Sequence, residues 1–194
     1  MAVKISIVYY SGFGHTAKVA QSVAEGAKMH KGAEVHLINV TELNDATWKT
    51  IDSSDAIIFG TPTYMGSVSA KLKEFIETAS NRWMKLEWKD KIAAGFTNSM
   101  GLSGDKLNSL IQLFINAMQH GMIWVGLGLM GCMKTGQDMP QRNDINRLGS
   151  YSGLMTQSNN DTPEFNPSDG DLETAKIFGQ RVATITAQFV AGRK

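Results

Sequence analysis

Short, nearly all-apolar runs alternate with amphipathic segments along this chain, and this alternation restricts the possible fold more than any other feature. Val3 to Tyr10 is a β-branched and aromatic run, typical of a parallel strand covered on both faces. From Ala20 to Ala27, apolar residues recur at i, i+3, i+4 and i+7, which predicts a helix beginning near Thr16. Such alternation predicts βαβ units, in which helices connect parallel strands.

The same pattern continues to the end of the chain and predicts an α/β fold. Five parallel strands joined by right-handed crossovers predict a doubly wound, flavodoxin-like sheet of order 2-1-3-4-5 with helices on both faces. We expect residues 1–194 to form a single domain. The later strands are predicted at 34–39, 56–60, 92–98 and 122–126, and the later helices around 48–51, 72–79, 107–118 and 175–189.

Two predictions concern the second half of the chain. The helix around 107–118 has an apolar stripe that we expect to be its packing face, formed by Leu107, Leu110, Ile111, Phe114 and Met118. The polar stretch from about Gly131 to Gly170 is too long for an ordinary connection and predicts a functional insertion after or within the fifth strand. Tyr151 to Gln157 could form a short strand inside this stretch.

Charge and cysteine content exclude several classes of partner. The chain has 19 Lys and Arg against 18 Asp and Glu, so it provides no electrostatic field for nucleic acid or an anionic membrane. Cys132 is the only cysteine, which excludes an internal disulfide or a Cys-rich metal site and suits a reducing compartment. No apolar span approaches the roughly 20 residues that cross a bilayer. We therefore expect a soluble, unexported protein of the cytoplasm.

The loop at residues 11–16 joins the first strand to the first helix. Its two glycines, terminal hydroxyl residues and following helix N-terminus would present backbone N–H groups to a phosphate. The loop lacks both the Walker and the G-x-G-x-x-G spacing, which disfavours nucleoside triphosphate chemistry. Alternatively, Ser11 and the glycines only form the turn, and Thr16 caps the helix.

Two further loops follow the predicted third and fourth strands. Residues 60–67 combine Tyr64, Met65 and a stiffening Pro62, which suits packing against a flat heterocycle. Residues 97–104 combine hydroxyl, amide and glycine groups that could clamp polar parts of a ligand. Either loop could instead be an ordinary connection, with Ser103 or Asp105 capping the next helix. Their convergence with residues 11–16 at one edge of the sheet favours a binding site.

Several motifs resemble one known family along nearly the whole chain. These motifs are Val8-Tyr9-Tyr10-Ser11 with Gly14-His15, Val23-Ala24-Glu25-Gly26-Ala27, Asp55-Ala56-Ile57-Ile58-Phe59-Gly60-Thr61-Pro62-Thr63, and His120-Gly121-Met122. They resemble the WrbA-type NAD(P)H:quinone oxidoreductases, FMN-dependent members of the flavodoxin superfamily. This resemblance implies FMN as cofactor, NADH or NADPH as electron donor and a quinone-like acceptor.

The resemblance also implies a set of cofactor-binding residues. Ser11, Phe13, Gly14, His15 and Thr16 would hold the FMN phosphate, and Pro62, Thr63, Tyr64, Met65 and Gly66 would line the isoalloxazine. Thr97, Asn98, Ser99, Gly101, Ser103 and Gly104 would complete the cradle.

A catalytic residue and two further site residues follow from the same resemblance. His120 would bind or protonate substrate, although a histidine at a helix C-terminus often only complements the dipole. The family is typically tetrameric, so we expect a dimer or tetramer in which Trp83 approaches a neighbour's flavin. Local packing of Trp83 and Trp88 is the alternative. Tyr151 would belong to a loop that covers the site.

The predicted activity is a ping-pong transfer of two electrons from NAD(P)H to a quinone-like acceptor. FMN would perform the chemistry while the protein positions and tunes it. The alternative is a flavodoxin-type carrier that docks on protein partners and transfers single electrons. Such carriers are usually strongly acidic, whereas this chain is almost neutral with a formal net charge of +1.

Overall fold

The computed structural model describes residues 2–132 and 139–193, which form a parallel sheet with helices on both faces. No helix in these ranges combines the length and apolarity needed to cross a membrane. The strands are β1 (Val3–Tyr9), β2 (Ala33–Asn39), β3 (Ala56–Tyr64), β4 (Ser67–Val68), β5 (Ile92–Ser99), β6 (Ile123–Trp124) and β7 (Leu154–Gln157). The helices are α1 (His15–Lys28), α2 (Asp45–Asp52), α3 (Ala70–Thr78), α4 (Ser80–Met84), α5 (Lys106–Gln119) and α6 (Asp169–Gly192).

The sheet confirms the predicted parallel α/β class but has seven strands instead of five. Its main path runs β2-β1-β3-β5-β6 with parallel pairing throughout. The two additional strands are β4, which turns back antiparallel onto the end of β3, and β7, which pairs parallel with β5. The β7 strand lies within the segment Tyr151 to Gln157, where a short strand was expected, whereas the two-residue β4 is too short to show a periodic signal in the sequence.

Two short strands share the edge of β5 that faces away from β3. Ile92 and Ala93 at the start of β5 pair with β6, and residues 96–99 at its end pair with β7. The chain leaves the sheet between these two strands, in the region predicted as an insertion. Residues 133–138 of that predicted insertion lie outside the described residues. A main-chain bond from Leu127 N–H to Tyr151 O ties the two sides of the excursion together.

Each face of the sheet has its own apolar core. Helices α1 and α6 cover one face, where Val23, Phe178 and Val182 pack on β1, β3 and β5 without exposure. The opposite face buries Phe59, Phe75 and Trp88 together. Full burial of such side chains contributes about 1.5–3 kcal/mol each. The sheet therefore acts as a rigid base for the loops at its edge.

Two glycines allow α1 and α6 to touch along their backbones. A Cβ on Gly26 would lie 1.8 Å from the carbonyl oxygen of Lys176, and one on Gly179 would lie 2.0 Å from that of Val23. Both distances are far below van der Waals contact, and the opposing atoms belong to helix backbone. Close packing against α6 therefore explains why Gly26 occurs within an otherwise strong helical pattern.

The predicted packing face of α5 is wrong. Of its predicted stripe only Leu110 is buried, whereas Leu107, Ile111, Phe114 and Met118 are 40–50% exposed. The face that packs on the sheet instead contains Lys106, Ser109, Leu110, Leu113, Asn116 and Ala117. Periodicity identifies an apolar stripe but does not specify what covers it. In this chain the stripe, with Ile115, points outward, and we call it the outer stripe of α5.

We predict that Gly26→Ala lowers the free energy of unfolding by about 2 kcal/mol or more, because the added methyl forces two helix backbones apart. Urea denaturation followed by circular dichroism measures this change. Gly192→Ala in α6 is the matched control, since a Cβ there meets nothing within 4 Å. The control should leave stability unchanged or slightly higher. Equal destabilisation by both variants would contradict the close-packing explanation.

Candidate functional site

A cleft of about 540 Å³ lies at the edge of the sheet where β1, β3 and β5 end, and we call it the loop cleft. Its volume is within the range usual for small-molecule and cofactor sites. The three predicted loops all contribute to it. Its lining comprises Ser11, Phe13, His15, Thr16, Pro62, Thr63, Tyr64, Asn98, Ser99, Met100 and residues 158–163.

The first loop, residues 11–16, leads into α1 beside the loop cleft. Gly14 is the N-cap with a φ of 87°, a left-handed conformation that favours glycine. Glycine has no side chain that could cap the helix, and Ser11 Oγ instead accepts the Ala17 N–H at 3.1 Å. The suggested capping role of Thr16 is therefore wrong. The remaining N–H groups of the first turn lack intrahelical acceptors and are suited to binding an anion.

In the second loop, residues 60–67, Tyr64 closes one side of the cleft. Strand β3 continues through Pro62 and Thr63 to Tyr64, beyond its predicted end. The Tyr64 ring meets Phe13 edge to face at a centroid distance of 6.4 Å. A Cβ on Gly12 would lie 2.5 Å from the Tyr64 hydroxyl, so the first loop passes directly against it. Burial, and secondarily Tyr10, raises the pKa of Tyr64 and keeps its hydroxyl protonated.

Two residues after Tyr64 reverse the chain into β4. Met65 has a φ of 48° and Gly66 a φ of 74°, so both adopt left-handed conformations. Neither lines the loop cleft, and Met65 is fully exposed at its rim. The structure thus separates these two predicted residues from Pro62, Thr63 and Tyr64.

A buried hydroxyl network fixes the second loop from beneath. Thr63 Oγ1 lies 2.8 Å from Thr97 Oγ1 and 2.7 Å from Ser109 Oγ. Thr97 and Ser109 are completely buried, so these hydroxyls are satisfied by one another. Predicted residue Thr97 therefore supports the site instead of lining it.

The third loop, residues 97–104, contributes Asn98 and Ser99 to the cleft. Asn98 Oδ1 accepts hydrogen bonds from the hydroxyls of Thr156 at 2.8 Å and Ser158 at 3.0 Å. Because its carbonyl is occupied, the amide group of this cleft residue is left as a donor. Predicted residues Gly101, Ser103 and Gly104 do not line the cleft.

The suggested side-chain caps of α5 are wrong. The N-cap is Asp105, but it adopts a left-handed φ of 53° and its side chain makes no capping bond. Ser103 contributes only its carbonyl oxygen, which accepts the Lys106 N–H at 3.1 Å. The third loop is therefore held by other contacts.

The segment 158–163 forms one wall of the cleft and was not among the predicted site residues. Two residues of α1 hold it. His15 Nε2 bonds to the Asp161 carbonyl oxygen at 2.8 Å, and Lys18 Nζ donates to the carbonyl oxygens of Pro163 and Glu164. The sequence does contain a signal for this segment, because the polar run Ser-Asn-Asn-Asp-Thr-Pro directly follows the possible strand Tyr151 to Gln157.

A buried ion pair connects α6 to the third loop. Arg147 donates from two nitrogens to the Asp171 carboxylate, each at 2.9 Å, and to Gln157 Oε1 at 3.0 Å. The Gln157 backbone N–H donates to Asp171, and its side-chain amide donates to the Met100 carbonyl oxygen at 2.8 Å. The side chains of Arg147 and Asp171 are only 10% and 3% exposed. This network positions the end of β7 against the loop cleft.

A larger cavity of about 830 Å³ lies beside the loop cleft, and we call it the edge cavity. Leu102, Ser103 and the start of α5 form one side, and residues 139–155 form the other. Tyr151 lies here, and its hydroxyl accepts the Gly131 N–H at 3.2 Å. The edge cavity includes neither the first nor the second loop, so we identify the smaller loop cleft as the candidate site.

His120 and Trp83 lie at the opposite edge of the sheet from the loop cleft. Helix α5 starts beside the third loop and runs 14 residues, or about 21 Å, before reaching His120. There His120 is 2% exposed and stacks on Trp88 with a centroid distance of 4.4 Å. Burial lowers its pKa, and its Nδ1 lacks a partner among the described residues. The structure does not bring His120 to the cleft of its own chain.

The two tryptophans near α4 have different environments. Trp88 is fully buried and donates from Nε1 to Asp52 at 2.9 Å, so local packing explains it. Trp83 remains 44% exposed, with Met84 and Leu86 exposed beside it.

Comparison with known proteins gives a consistent result. Residues 10–131 match the family described as NADPH-dependent FMN reductase. The chain is 43% identical to the flavodoxin FldP of Pseudomonas aeruginosa, covering 97% of this chain and 99% of that protein. It is 31% identical to an NAD(P)H dehydrogenase (quinone) of Aromatoleum aromaticum, covering 98% and 99%.

A solved structure supports the same relationship. The flavodoxin, WrbA-like protein from Agrobacterium tumefaciens superposes with a TM-score of 0.75 at 41% identity, over 96% of this chain and 99% of that one. An archaeal flavodoxin at 21% identity superposes with a TM-score of 0.64 and shows the fold alone. The parallel sheet is therefore flavodoxin-like.

We predict that Asp171→Asn lowers the free energy of unfolding by about 3 kcal/mol, because it leaves Arg147 buried without a counter-charge. Urea denaturation measures the loss. Glu25→Gln is the matched control, since Glu25 pairs with Lys176 at 3.1 Å on the surface. That exposed pair should contribute less than about 1 kcal/mol. A loss at Asp171 no greater than at Glu25 would show that the buried pair does not anchor the segment.

Proposed function

This chain belongs to the NADPH-dependent FMN reductase family, among the WrbA-type proteins of the flavodoxin superfamily, and we propose that it binds FMN in the loop cleft. With FMN it acts as an NAD(P)H:quinone oxidoreductase that transfers two electrons to a quinone-like acceptor. The observation that carries the proposal is the meeting of three separately predicted loops in one cleft of suitable size. The quinone dehydrogenase relatives support the same activity.

The first loop suits the FMN phosphate. The N-terminus of α1 supplies N–H groups and the positive end of the helix dipole. The left-handed Gly14 turns the chain there, and a Cβ on it would lie 2.6 Å from Pro163 Cγ. The proposed phosphate-binding residues are Ser11, Phe13, Gly14, His15 and Thr16.

The second and third loops suit the isoalloxazine ring and its polar edge. Pro62 and Tyr64 offer apolar and aromatic surface, and the Asn98 amide is free to donate to a ring oxygen or nitrogen. In the proposed set, Pro62, Thr63, Tyr64, Asn98 and Ser99 line the cleft and would contact the ring, whereas Met65, Gly66, Thr97, Gly101, Ser103 and Gly104 would act by shaping the loops around it. Within it, Thr97 acts by holding the Thr63 hydroxyl.

The bound flavin supplies hydride acceptance and two-electron donation, and the protein supplies position and environment. The protonated Tyr64 hydroxyl is a hydrogen-bond donor at the cleft wall. Phe13 and Met100 line the cleft, are exposed, and offer an apolar surface for a planar substrate. Donor and acceptor would use the same opening, so the oxidised nicotinamide must leave before the acceptor enters. This order is a ping-pong mechanism.

The Pseudomonas relative named a flavodoxin supports a second candidate function. In that function the chain carries single electrons between protein partners, and the exposed rim contacts a partner protein. The number of electrons taken up per step distinguishes the two functions.

We predict that FMN-loaded protein, mixed anaerobically with NADH or NADPH, bleaches directly to the two-electron reduced state. Visible absorbance spectra record this change, and initial rates with a quinone should give parallel double-reciprocal lines. A flavin that stays oxidised with both nucleotides would reject the reductase function. Lasting accumulation of one-electron reduced flavin would favour the carrier, and failure to bind FMN would reject both.

The phosphate site has its own matched pair of variants. Gly14→Ala should raise the dissociation constant for FMN by about tenfold or more. The added methyl collides with Pro163, and the alanine would have to adopt a left-handed φ. Gly149→Ala introduces a methyl at a φ of 62° with nothing within 4 Å. The Gly149 variant should lose some stability but keep its FMN affinity. Equal effects on affinity would place the phosphate elsewhere.

We further propose that the protein is a homo-oligomer, dimer or tetramer, in which a second copy covers the outer stripe of α5. That stripe is too apolar and contiguous for a surface in water. Trp83 is proposed to complete the site of a neighbouring copy. Tyr151, near the third loop, is proposed to cover the cleft. A cytoplasmic location and a single domain stay predictions.

We predict that wild-type protein elutes as an oligomer in size-exclusion chromatography with light scattering. The double variant Ile111→Glu, Ile115→Glu should be a folded monomer, because it places charges in the outer stripe. Gln119→Glu, an exposed polar position on the same helix, should stay oligomeric. A monomeric wild type would contradict the proposed assembly.

A further inference from the structure

Lys106 is a lysine in an unusual position, because its side chain is completely buried at the start of α5. Lysine is among the residues least often buried without a specific partner. Neither the predicted cradle nor the hydroxyl network uses this residue. Its location behind the third loop makes its charge relevant to the loop cleft.

The ammonium group of Lys106 is the centre around which the third loop folds. Its Nζ donates to Ser99 Oγ at 2.9 Å and to the Gly101 carbonyl oxygen. Gly104, with a φ of 55°, and the left-handed Asp105 turn the chain around this side chain. A Cβ on Gly104 would lie 2.4 Å from Ser99 Oγ, so the loop is closely packed. Ser99 itself lines the cleft, which leaves one side chain between the ammonium and the ligand space.

The charges near Lys106 do not cancel. Burial is the main cause that lowers the pKa of Lys106, while Asp171 raises it and Arg147 lowers it. Asp171 and Arg147 are already paired with each other through two hydrogen bonds. Among these three buried groups two cations face one carboxylate, so the buried charge is net positive, and the Asp105 carboxylate next to Lys106 in the chain is exposed to solvent. The N-terminus of α5 adds a partial charge of the same sign at this point.

A positive charge behind a flavin-binding loop acts differently on the two redox states. Two-electron reduced flavin can carry a negative charge on its ring, whereas the oxidised ring is neutral. A nearby fixed cation in a poorly hydrated environment stabilises the anionic form selectively and requires no reorganisation. Charge near the flavin ring is one of the means by which proteins tune such a cofactor.

We propose that Lys106 is a positioning residue that shapes the third loop and makes the protein bind reduced FMN more tightly than oxidised FMN. This inference rests on the proposed function, because it requires FMN in the loop cleft. It also favours transfer of electron pairs over the carrier function. Burial, opposed in part by Asp171, lowers the pKa of Lys106 to about 8, so the ammonium is charged at neutral pH.

The test compares Lys106→Met with wild type. Flavin fluorescence titration gives the FMN dissociation constant, and equilibration with redox dyes gives the two-electron midpoint potential. We expect the preference for reduced over oxidised FMN to fall about tenfold, which corresponds to a potential about 30 mV more negative. Lys106→Arg keeps the charge and should retain most of the preference.

Lys91→Met is the matched control. Lys91 is partly buried, and its ammonium donates to two main-chain carbonyls, those of Asp52 and Ser54, as that of Lys106 donates to a hydroxyl and a carbonyl. It precedes β5 at the far edge of the sheet, roughly 25 Å of strand away from Ser99. The same substitution there should lower stability without changing the potential. An equal shift in both variants would mean that the effect is only structural, and would overturn the proposal.

Wild-type protein provides a second measurement, which remains informative if Lys106→Met does not fold. Its preference for reduced over oxidised FMN, measured as the midpoint potential of bound FMN relative to free FMN, should fall as the pH passes about 8, where Lys106 loses its proton. An unchanged preference across this pH range would overturn the inference. If wild type binds and reduces FMN but Lys106→Met has the same midpoint potential as wild type, only the proposed role of Lys106 is rejected. Wild type that binds no FMN would reject the proposed function as well.

Discussion

A parallel sheet places the carboxyl ends of all its strands along one edge, and the candidate site depends on this constraint. Each strand must be followed by a crossover, so the loops that begin the crossovers from β1, β3 and β5 lie side by side. The loop cleft is formed where they meet. The close contact of Gly26 with α6 and the aromatic core on the other face keep the sheet fixed beneath them.

Polar groups buried under the loops decide the shape of the cleft. The Thr63 hydroxyl is held from below by two other hydroxyls, and the Asn98 carbonyl is occupied by two hydroxyl donors. The third loop encloses the ammonium of Lys106. Because unsatisfied buried groups are costly, these networks favour one loop arrangement over others. Preorganisation of this kind is what an enzyme needs to position a cofactor.

The proposed small-molecule site and the proposed self-association each have an exposed apolar surface on this chain. Apolar side chains surround the opening, and a second apolar surface lies on the outer stripe of α5. The buried charge excess near Lys106 lies behind the third loop, so it would act on the ring and not on an approaching partner. Family membership and internal electrostatics thus support the reductase over the electron carrier.

The sequence by itself determined the order of the main elements and the three loops, because runs such as 56–60 and the helical stripe of α1 are local patterns. It did not determine which face of α5 packs inward, since Ile111 and Phe114 satisfy the helical period whether or not a partner covers them. Only the tertiary structure placed His120 at the far edge and brought residues 158–163 into the cleft wall. Those positions depend on contacts between residues far apart in the chain, such as His15 with Asp161, which local patterns do not encode.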